Sequence, residues 1–206
     1  MEIRLEPVVL EGEQVRLEPL SLRHLPRLVE IGLDDNIFRW FTEPVGTPEE
    51  MESFVAAALR EREAGKALPF ATVERRTGLA VGSTRFGNID RGHRRVEIGW
   101  TWIAPAWQRT AVNTEAKYLM LRFAFEVWGC NRVEFKTDSL NQPSRRAIAR
   151  LGAKEEGTFR NHMVTASGRL RHTVYFSVIK EEWPEVKAGL ENRMKEHGGT
   201  NGGMSR

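Results

Sequence analysis

Apolar residues recur along the chain at two spacings, every second residue and every third or fourth, and the spacing switches repeatedly. Val15, Leu17 and Leu20 open a first strand, after which Ser21 caps a short helix that turns Leu22, Leu25, Leu28 and Val29 inward. The next helix has the clearest start, with Thr47 as N-cap, Pro48 at the first helical position and Glu50 closing a capping box. Met51, Phe54, Val55, Ala58 and Leu59 follow at helical spacing, and Gly65 ends the element. Residues 69–75 and 79–89 read as strands around the turn Arg76, Thr77, Gly78. A third strand, 95–103, sets Val96, Ile98, Trp100 and Trp102 on one face and Glu97, Gly99 and Thr101 on the other.

After a break at 104–107 the pattern predicts a helix from Asn113 to Trp128, ended by Gly129, with Ala116, Leu119, Met120, Phe123 and Val127 inward. A strand at 132–137 leads to Asn141, which caps a helix through Ala147, Ile148 and Leu151 to Gly152. Strands at 157–164 and 171–179 flank a turn at Ala166, Ser167 and Gly168. A last helix from Pro184 buries Trp183, Val186, Leu190 and Met194. This alternation is an α/β pattern of one domain over residues 1–196. Residues 197–206, HGGTNGGMSR, are Gly-rich and polar and read as a disordered tail.

Composition narrows the function. A chain of 206 residues can bury roughly 70 % of its unfolded surface. The single Cys130 excludes an internal disulfide framework and a cysteine metal cluster, and it suits a reducing, cytoplasmic setting. No apolar run reaches membrane-span length, and the opening residues lack the apolar core of a signal peptide. The net charge of +3 hides an asymmetry: residues 1–65 hold 7 Lys/Arg against 14 Asp/Glu, and the remainder holds 24 against 14. That split fits either an anionic partner on the later part or solvated faces of amphipathic elements.

Chemistry concentrates between residues 96 and 128. Gln108, Arg109, Thr110, Ala111, Val112, Asn113 and Thr114 stand directly before a helix, whose free N–H groups and positive dipole end suit a phosphate. The glycines of a P-loop or dinucleotide fingerprint are absent, and an ordinary capped connection is the plainer reading. Metal-ligand spacings such as H-x-E are also absent, so no metal is expected. Arg145, Arg146 and Arg150, extended by Arg160, Arg169 and Arg171, form a positive side; no RNA- or DNA-binding signature accompanies them, so no nucleic acid is expected.

The order strand, Q-x-x-x-x-N loop, helix, strand, then Asn141 and Ser144 opening a helix, resembles the GNAT superfamily of acetyl-CoA-dependent N-acetyltransferases. The likeness is strongest to its RimJ/RimL branch, the ribosomal-protein N-terminal acetyltransferases. It is carried by EQVRLEPL, VGSTRFGNID, VEIGWTW, NTEAKYLML and FSVIKEEWPEVKAGL, and it runs from about residue 14 to about residue 195. The resemblance implies a mixed, mostly antiparallel sheet with helices on both faces, splayed near Ile103 and Thr137 to admit acetyl-CoA. It implies that Trp102, Ile103, residues 108–114 and Asn141 contact that donor. Ala111 replaces a glycine of the phosphate loop: it is harmless if helical and costly if the position needs positive φ. Glu97 is the candidate general base, with a surface carboxylate paired to Arg94 or Arg95 as its alternative. The tyrosine that family members place seven residues after the capping Asn is Ile148 here, so Ser144 is the candidate to hydrogen-bond the leaving sulfur. Cys130 lies away from these residues, so a covalent acyl-enzyme has no support.

Trp40 and Phe41, in the segment 36–46, would cover an acceptor amine or pack in the core. His162 and His172 would line the same cleft or simply pack. The acceptor is a primary amine, either a protein or peptide N-terminus or a small molecule such as an antibiotic. A non-catalytic acyl-CoA sensor is the alternative, and the family implies a homodimer.

Overall fold

A computed structural model describes residues 3–43, 45–165 and 167–199. Its strands are β1 Leu10–Glu11, β2 Val15–Pro19, β3 Leu68–Glu74, β4 Ala80–Asp90, β5 Arg95–Ile103, β6 Arg132–Asp138, β7 Lys154–Val164 and β8 Leu170–Ile179. Its helices are α1 Leu25–Gly32, α2 Asp35–Phe38, α3 Pro48–Glu63, α4 Ala111–Arg122, α5 Gln142–Arg150 and α6 Trp183–Gly199. They form one eight-stranded sheet in the order β1-β2-β3-β4-β5-β6-β8-β7, antiparallel except where β5 pairs with β6. The mixed sheet with helices on both faces is therefore as expected. Among the described residues no helix is long and apolar enough to cross a membrane.

The β5–β6 junction shapes everything that follows. The two strands pair only at Arg95 with Arg132, Val96 with Val133 and Glu97 with Glu134. Beyond Glu97, β5 runs on to Ile103 without a β6 partner, so the sheet parts here. Because the strands are parallel, the helices that follow them, α4 and α5, begin at the same end of the sheet, on either side of the gap. Crevices of this kind, outside the carboxyl ends of parallel strands, are where open sheets take ligands.

Two apolar clusters cover the sheet. On one face α4, α5 and α6 bury Phe86, Val96, Ile98, Phe135, Val174 and Phe176. On the other, α1, α2 and α3 bury Leu28, Phe38, Met51 and Phe54 around Trp102. Fully buried side chains such as Phe70 and Phe86 each stabilise the fold by roughly 2 kcal/mol. The α3 cap forms as its sequence dictates: the Glu50 N–H donates to the Thr47 hydroxyl at 3.2 Å, and the Thr47 N–H donates back to the Glu50 carboxylate at 3.2 Å.

Glu115, on α4, is a buried carboxylate that accepts N–H bonds from Glu13, Gln14 and Val15 at 2.7–2.8 Å. A Cβ on Gly12 would lie 2.4 Å from its carboxyl carbon, so the turn before β2 needs glycine there.

Several expectations are corrected. On β5, Trp100 has φ of +49°, and the pairing slips so that Ser83 faces Trp102 but Arg85 faces Gly99. This one-residue bulge flips the pleat. Trp100 and Trp102 join the α3-side cluster, whereas Val96, Ile98 and Ile103 remain in the α4-side cluster, and Thr101 meets Lys117 of α4. The single aromatic stripe does not exist, and Thr101 does not share a face with Glu97.

Helix α4 starts at Ala111 with Thr110 as its cap, not at Asn113. Its last turn, Phe123–Val127, is π-helical, and the extra residue rotates Val127 outward to 55 % exposure. Leu22 lies in a 3-10 turn before α1 and is exposed rather than inward. Helix α6 continues to Gly199, three residues into the segment expected to be a tail, and residues 200–206 lie outside the described residues, as does Ala166 of the last turn.

Candidate active site

Two helix starts flank the gap, and neither has an acidic residue in its first turn. Helix α3, in contrast, fills its own start with Glu49 and Glu50. At α4 the Thr110 hydroxyl accepts from the Val112 N–H at 3.3 Å and donates to the Trp107 carbonyl at 2.7 Å. The Gln108 amide donates to the Ile103 carbonyl at 2.9 Å, which folds the loop back on the end of β5. Gln108 is thus a loop staple.

The residue with positive φ in this loop is Arg109, at +62°, while Ala111 is the first helical residue. A methyl group at Ala111 is therefore harmless. This start, with its dipole and with Arg109 exposed beside it, fits a diphosphate. The Asn113 side-chain oxygen is buried without a partner among the described residues, and it is an acceptor available to a ligand donor. Val112 and Thr114 are buried and hold the turn against the sheet.

Across the gap Asn141 caps α5, its side chain accepting from the Ser144 N–H at 3.1 Å. The Ser144 hydroxyl has no partner among the described residues and sits in the first turn. Ile148, seven residues after Asn141, is buried in the α4-side core.

Glu97 lies where β5 and β6 separate, 6 % exposed. Its Oε2 accepts from Asn88 Nδ2 at 2.5 Å and pairs with Lys136 Nζ at 2.7 Å. Its partners are not Arg94 or Arg95; Arg95 pairs with Asp90 and Glu134 instead. The other oxygen, Oε1, lies 2.9 Å from where a Gly99 Cβ would stand, directed along the strand toward the bulge. Burial pulls the Lys136 amine down in pKa, but the Glu97 charge and hydrogen bond outweigh it, so the net shift is upward. Lys136 also lies over the Tyr175 ring at 4.8 Å, and that ring meets Phe159 at 4.6 Å and His162 at 5.9 Å. From there an open groove of about 790 Å³ continues, lined by Thr158, Phe159, Arg160, Asn161, His162 and His172. Both histidines line it, and the Asn161 N–H donates to the His172 Nδ1.

The aromatic segment divides. Phe41 packs edge-on against Phe38 and Phe54 in the α3-side core. Trp40 stays half-exposed between Arg39 and Arg169, and its carbonyl accepts from Arg171 at 3.2 Å. That bond ties the segment to β8, and only Trp40 of the pair stands near the polar face. Much of the positive side is partnered: Arg145 with Glu155, Arg169 with Asp138. Sequence reading missed Asn88, Lys136 and Tyr175. The alternation of Glu134, Lys136 and Asp138 on a strand was the available signal for the polar face, whereas Asn88 had none.

Burial pushes the Cys130 thiol up to about 12, which leaves it unreactive. Among the described residues no group of three or more His, Cys, Asp or Glu could hold a metal ion.

The sequence matches the acetyltransferase (GNAT) domain family over residues 14–154. YdaF of Bacillus subtilis (strain 168), provisionally named a ribosomal N-acetyltransferase, is 33 % identical over 110 residues; the match covers 53 % of this chain and 59 % of YdaF, less than two thirds of its length. The crystal structure of a GCN5-related N-acetyltransferase from Brucella melitensis superposes with a TM-score of 0.86 at 34 % identity, covering 94 % of this chain and 88 % of that one. Mycobacterium smegmatis RimJ, in complex with CoA-disulfide, superposes with a TM-score of 0.76 at 25 % identity, covering 90 % and 91 %.

Proposed function

The chain belongs to the acetyltransferase (GNAT) domain family, in its RimJ/RimL-like branch, and we propose that it acetylates the α-amino group of a protein or peptide. Acetyl-CoA, when bound, supplies the acyl group as a thioester. The first turn of α4, from Thr110 to Thr114 with Arg109 beside it, holds the diphosphate, and Asn113 and Asn141 contact the arm that runs along the gap. Main-chain groups of β5 beyond Glu97, through Trp102 and Ile103, have no β6 strand to bond and face that arm. The N–H groups near the Trp100 bulge meet the negative charge that develops on the acyl oxygen.

The acceptor must lose a proton before it attacks. An α-ammonium group titrates near 8. Lys136 sets a positive charge beside the place it occupies, which lowers its pKa, and the free Oε1 of Glu97 accepts the proton directly or through a water. Ser144 hydrogen-bonds the leaving sulfur; its hydroxyl orients rather than acidifies.

The observation that carries this reading is the buried Glu97, with one oxygen tied and the other free at the mouth of the gap. A peptide N-terminus suits the groove better than a compact amine, because the polar face continues from Glu97 over Tyr175 to His162, room for several residues beyond the amine. The helical Ala111 removes one of the two grounds for the sensor alternative; Ile148, where family members carry tyrosine, is the other and stays for the assay to decide. Release of free thiol from acetyl-CoA, measured against a panel of peptides and small amines, tests the proposal. Peptides are expected to be turned over with the higher kcat/KM. Turnover of small amines alone would move the acceptor class, and binding of acetyl-CoA without thiol release from any amine would restore the sensor.

A further inference from the structure

Beneath the bulge, on the face away from Glu97, α4 places a lysine where its sequence pattern gives no reason for one. Lys117 is 5 % exposed. Its Nζ donates to the Thr84 hydroxyl at 3.0 Å and to the Thr101 hydroxyl at 2.5 Å. The two hydroxyls bond each other at 2.8 Å, and the Thr101 hydroxyl reaches the Gly99 carbonyl at 3.4 Å. Thr84 lies between Ser83 and Arg85, and Thr101 between Gly99 and Trp102, so both threonines stand at the register slip itself. We propose that Lys117 is a positioning residue for acetyl transfer: through Thr84 and Thr101 its amine fixes the bulge whose main-chain groups face the gap. This rests on the acetyltransferase reading of the site.

The geometry gives Lys117 two effects. It bridges the two strands where the ladder lacks pairs, which holds Trp100 at its positive φ. Protonated, it also sets a fixed cation behind the N–H groups on the other side of the strand, in a medium where charge is weakly screened. Among the described residues no carboxylate counters it. Of the charged groups on the elements packed against it, Arg85 and Glu97 are engaged on the opposite face with Glu61 and Lys136. Glu115 of α4 binds the turn before β2, Arg16 and Glu18 of β2 pair together, and Glu191 of α6 takes the Tyr118 hydroxyl. Burial alone pushes the Lys117 amine down to about 7. The cation is therefore present at mildly acidic pH and lost as the solution becomes alkaline.

The test compares the wild type with Lys117→Met and Thr101→Val, each first shown to fold by thermal denaturation. Steady-state kinetics run from pH 6 to 9 with an acceptor the wild type uses. For Lys117→Met, kcat is expected to fall about tenfold at pH 6 and about twofold at pH 9, with KM for acetyl-CoA within about twofold. Thr101→Val, which keeps the charge but cuts the link, is expected to lose a constant factor across that range. A Lys117→Met deficit that does not change with pH, or no deficit at all, overturns the proposal. The methyl resonances of Thr84 and Thr101 in the free protein give a readout independent of turnover. They are expected to shift together between pH 6 and 9 in the wild type and to stay fixed in Lys117→Met. Static resonances in the wild type overturn the proposal even if acetyl transfer is observed. Moving resonances in a protein that acetylates nothing would leave Lys117 as the titrating group of the bulge and fail the functional reading instead.

Discussion

On one face of β5 a lysine meets a carboxylate; on the other a lysine meets two hydroxyls. Lys136 and Lys117 are both withdrawn from water, yet the first has its pKa raised and the second has it lowered to about 7. The partner, not the burial, decides the direction. The two faces consequently answer pH in opposite ways. The unfolded chain holds the Lys117 proton up to about 10.5, whereas the folded chain releases it near 7, so between those values the unfolded state binds more protons and this group makes stability rise with pH. The contribution of Lys136 has the other sign: it is fully present below 10.5 and is lost as pH climbs through the raised folded value. Lys136 on the polar face thus keeps its charge across the physiological range, and the α4 face carries one that changes within it.

Four substitutions would break or sharpen that contrast. Glu97→Gln keeps the shape and removes the base; acetyl transfer is expected to fall by 10² or more, in the range of about 10²–10⁴ for lost general-base catalysis, and the acidic limb of the kcat/KM profile should flatten. An unchanged rate and profile would remove Glu97 from the chemistry. Lys136→Met strands the buried Glu97 carboxylate and should cost about 2 kcal/mol in urea denaturation at pH 7, reduced from the range for fully buried pairs because Lys136 keeps some exposure. Lys117→Met is the counterpart: it should raise stability, by about 2 kcal/mol more at pH 6 than at pH 9, since it deletes a buried cation with no counter-charge among the described residues. If both methionine variants move stability in the same direction, the contrast fails. Smallest is Arg109→Gly, which relieves a positive φ and should stabilise by up to about 1 kcal/mol while weakening acetyl-CoA in calorimetry by the loss of one charge.

Much of this architecture was legible from residue spacing. The caps at Thr47 and Asn141 could be read directly because side-chain chemistry and apolar periodicity agree there. At α4 they do not: Thr110 and Asn113 are both good caps, and only the path of the loop, stapled by Gln108, selects the first. The bulge at Trp100 left no trace because Trp100, Trp102 and Ile103 are apolar and suit either face, and the one polar residue it moves, Thr101, is small enough for both. Both faces of β5 accept tryptophan, so a pattern of hydrophobic letters cannot register a flip. Lys117 was hidden for a related reason, since a lysine in a helix reads as a solvated position unless its hydroxyl partners on β4 and β5 are known to face it. Glu97 was found from the family resemblance and its place on the strand, but its partners come from β4 and β6 and needed the sheet order. Phe41 and Trp40, adjacent in sequence, part because one side chain turns into the core and the next does not.

Glu115 and Lys117 leave α4 on nearly opposite sides, one seized by three amides ahead of β2 and the other by two hydroxyls under the bulge. A helix so gripped can neither roll about its axis nor slide along it without tearing one hold or the other. Its leading amides are thereby aimed before any ligand arrives, and none of the energy of association has to go into steering them.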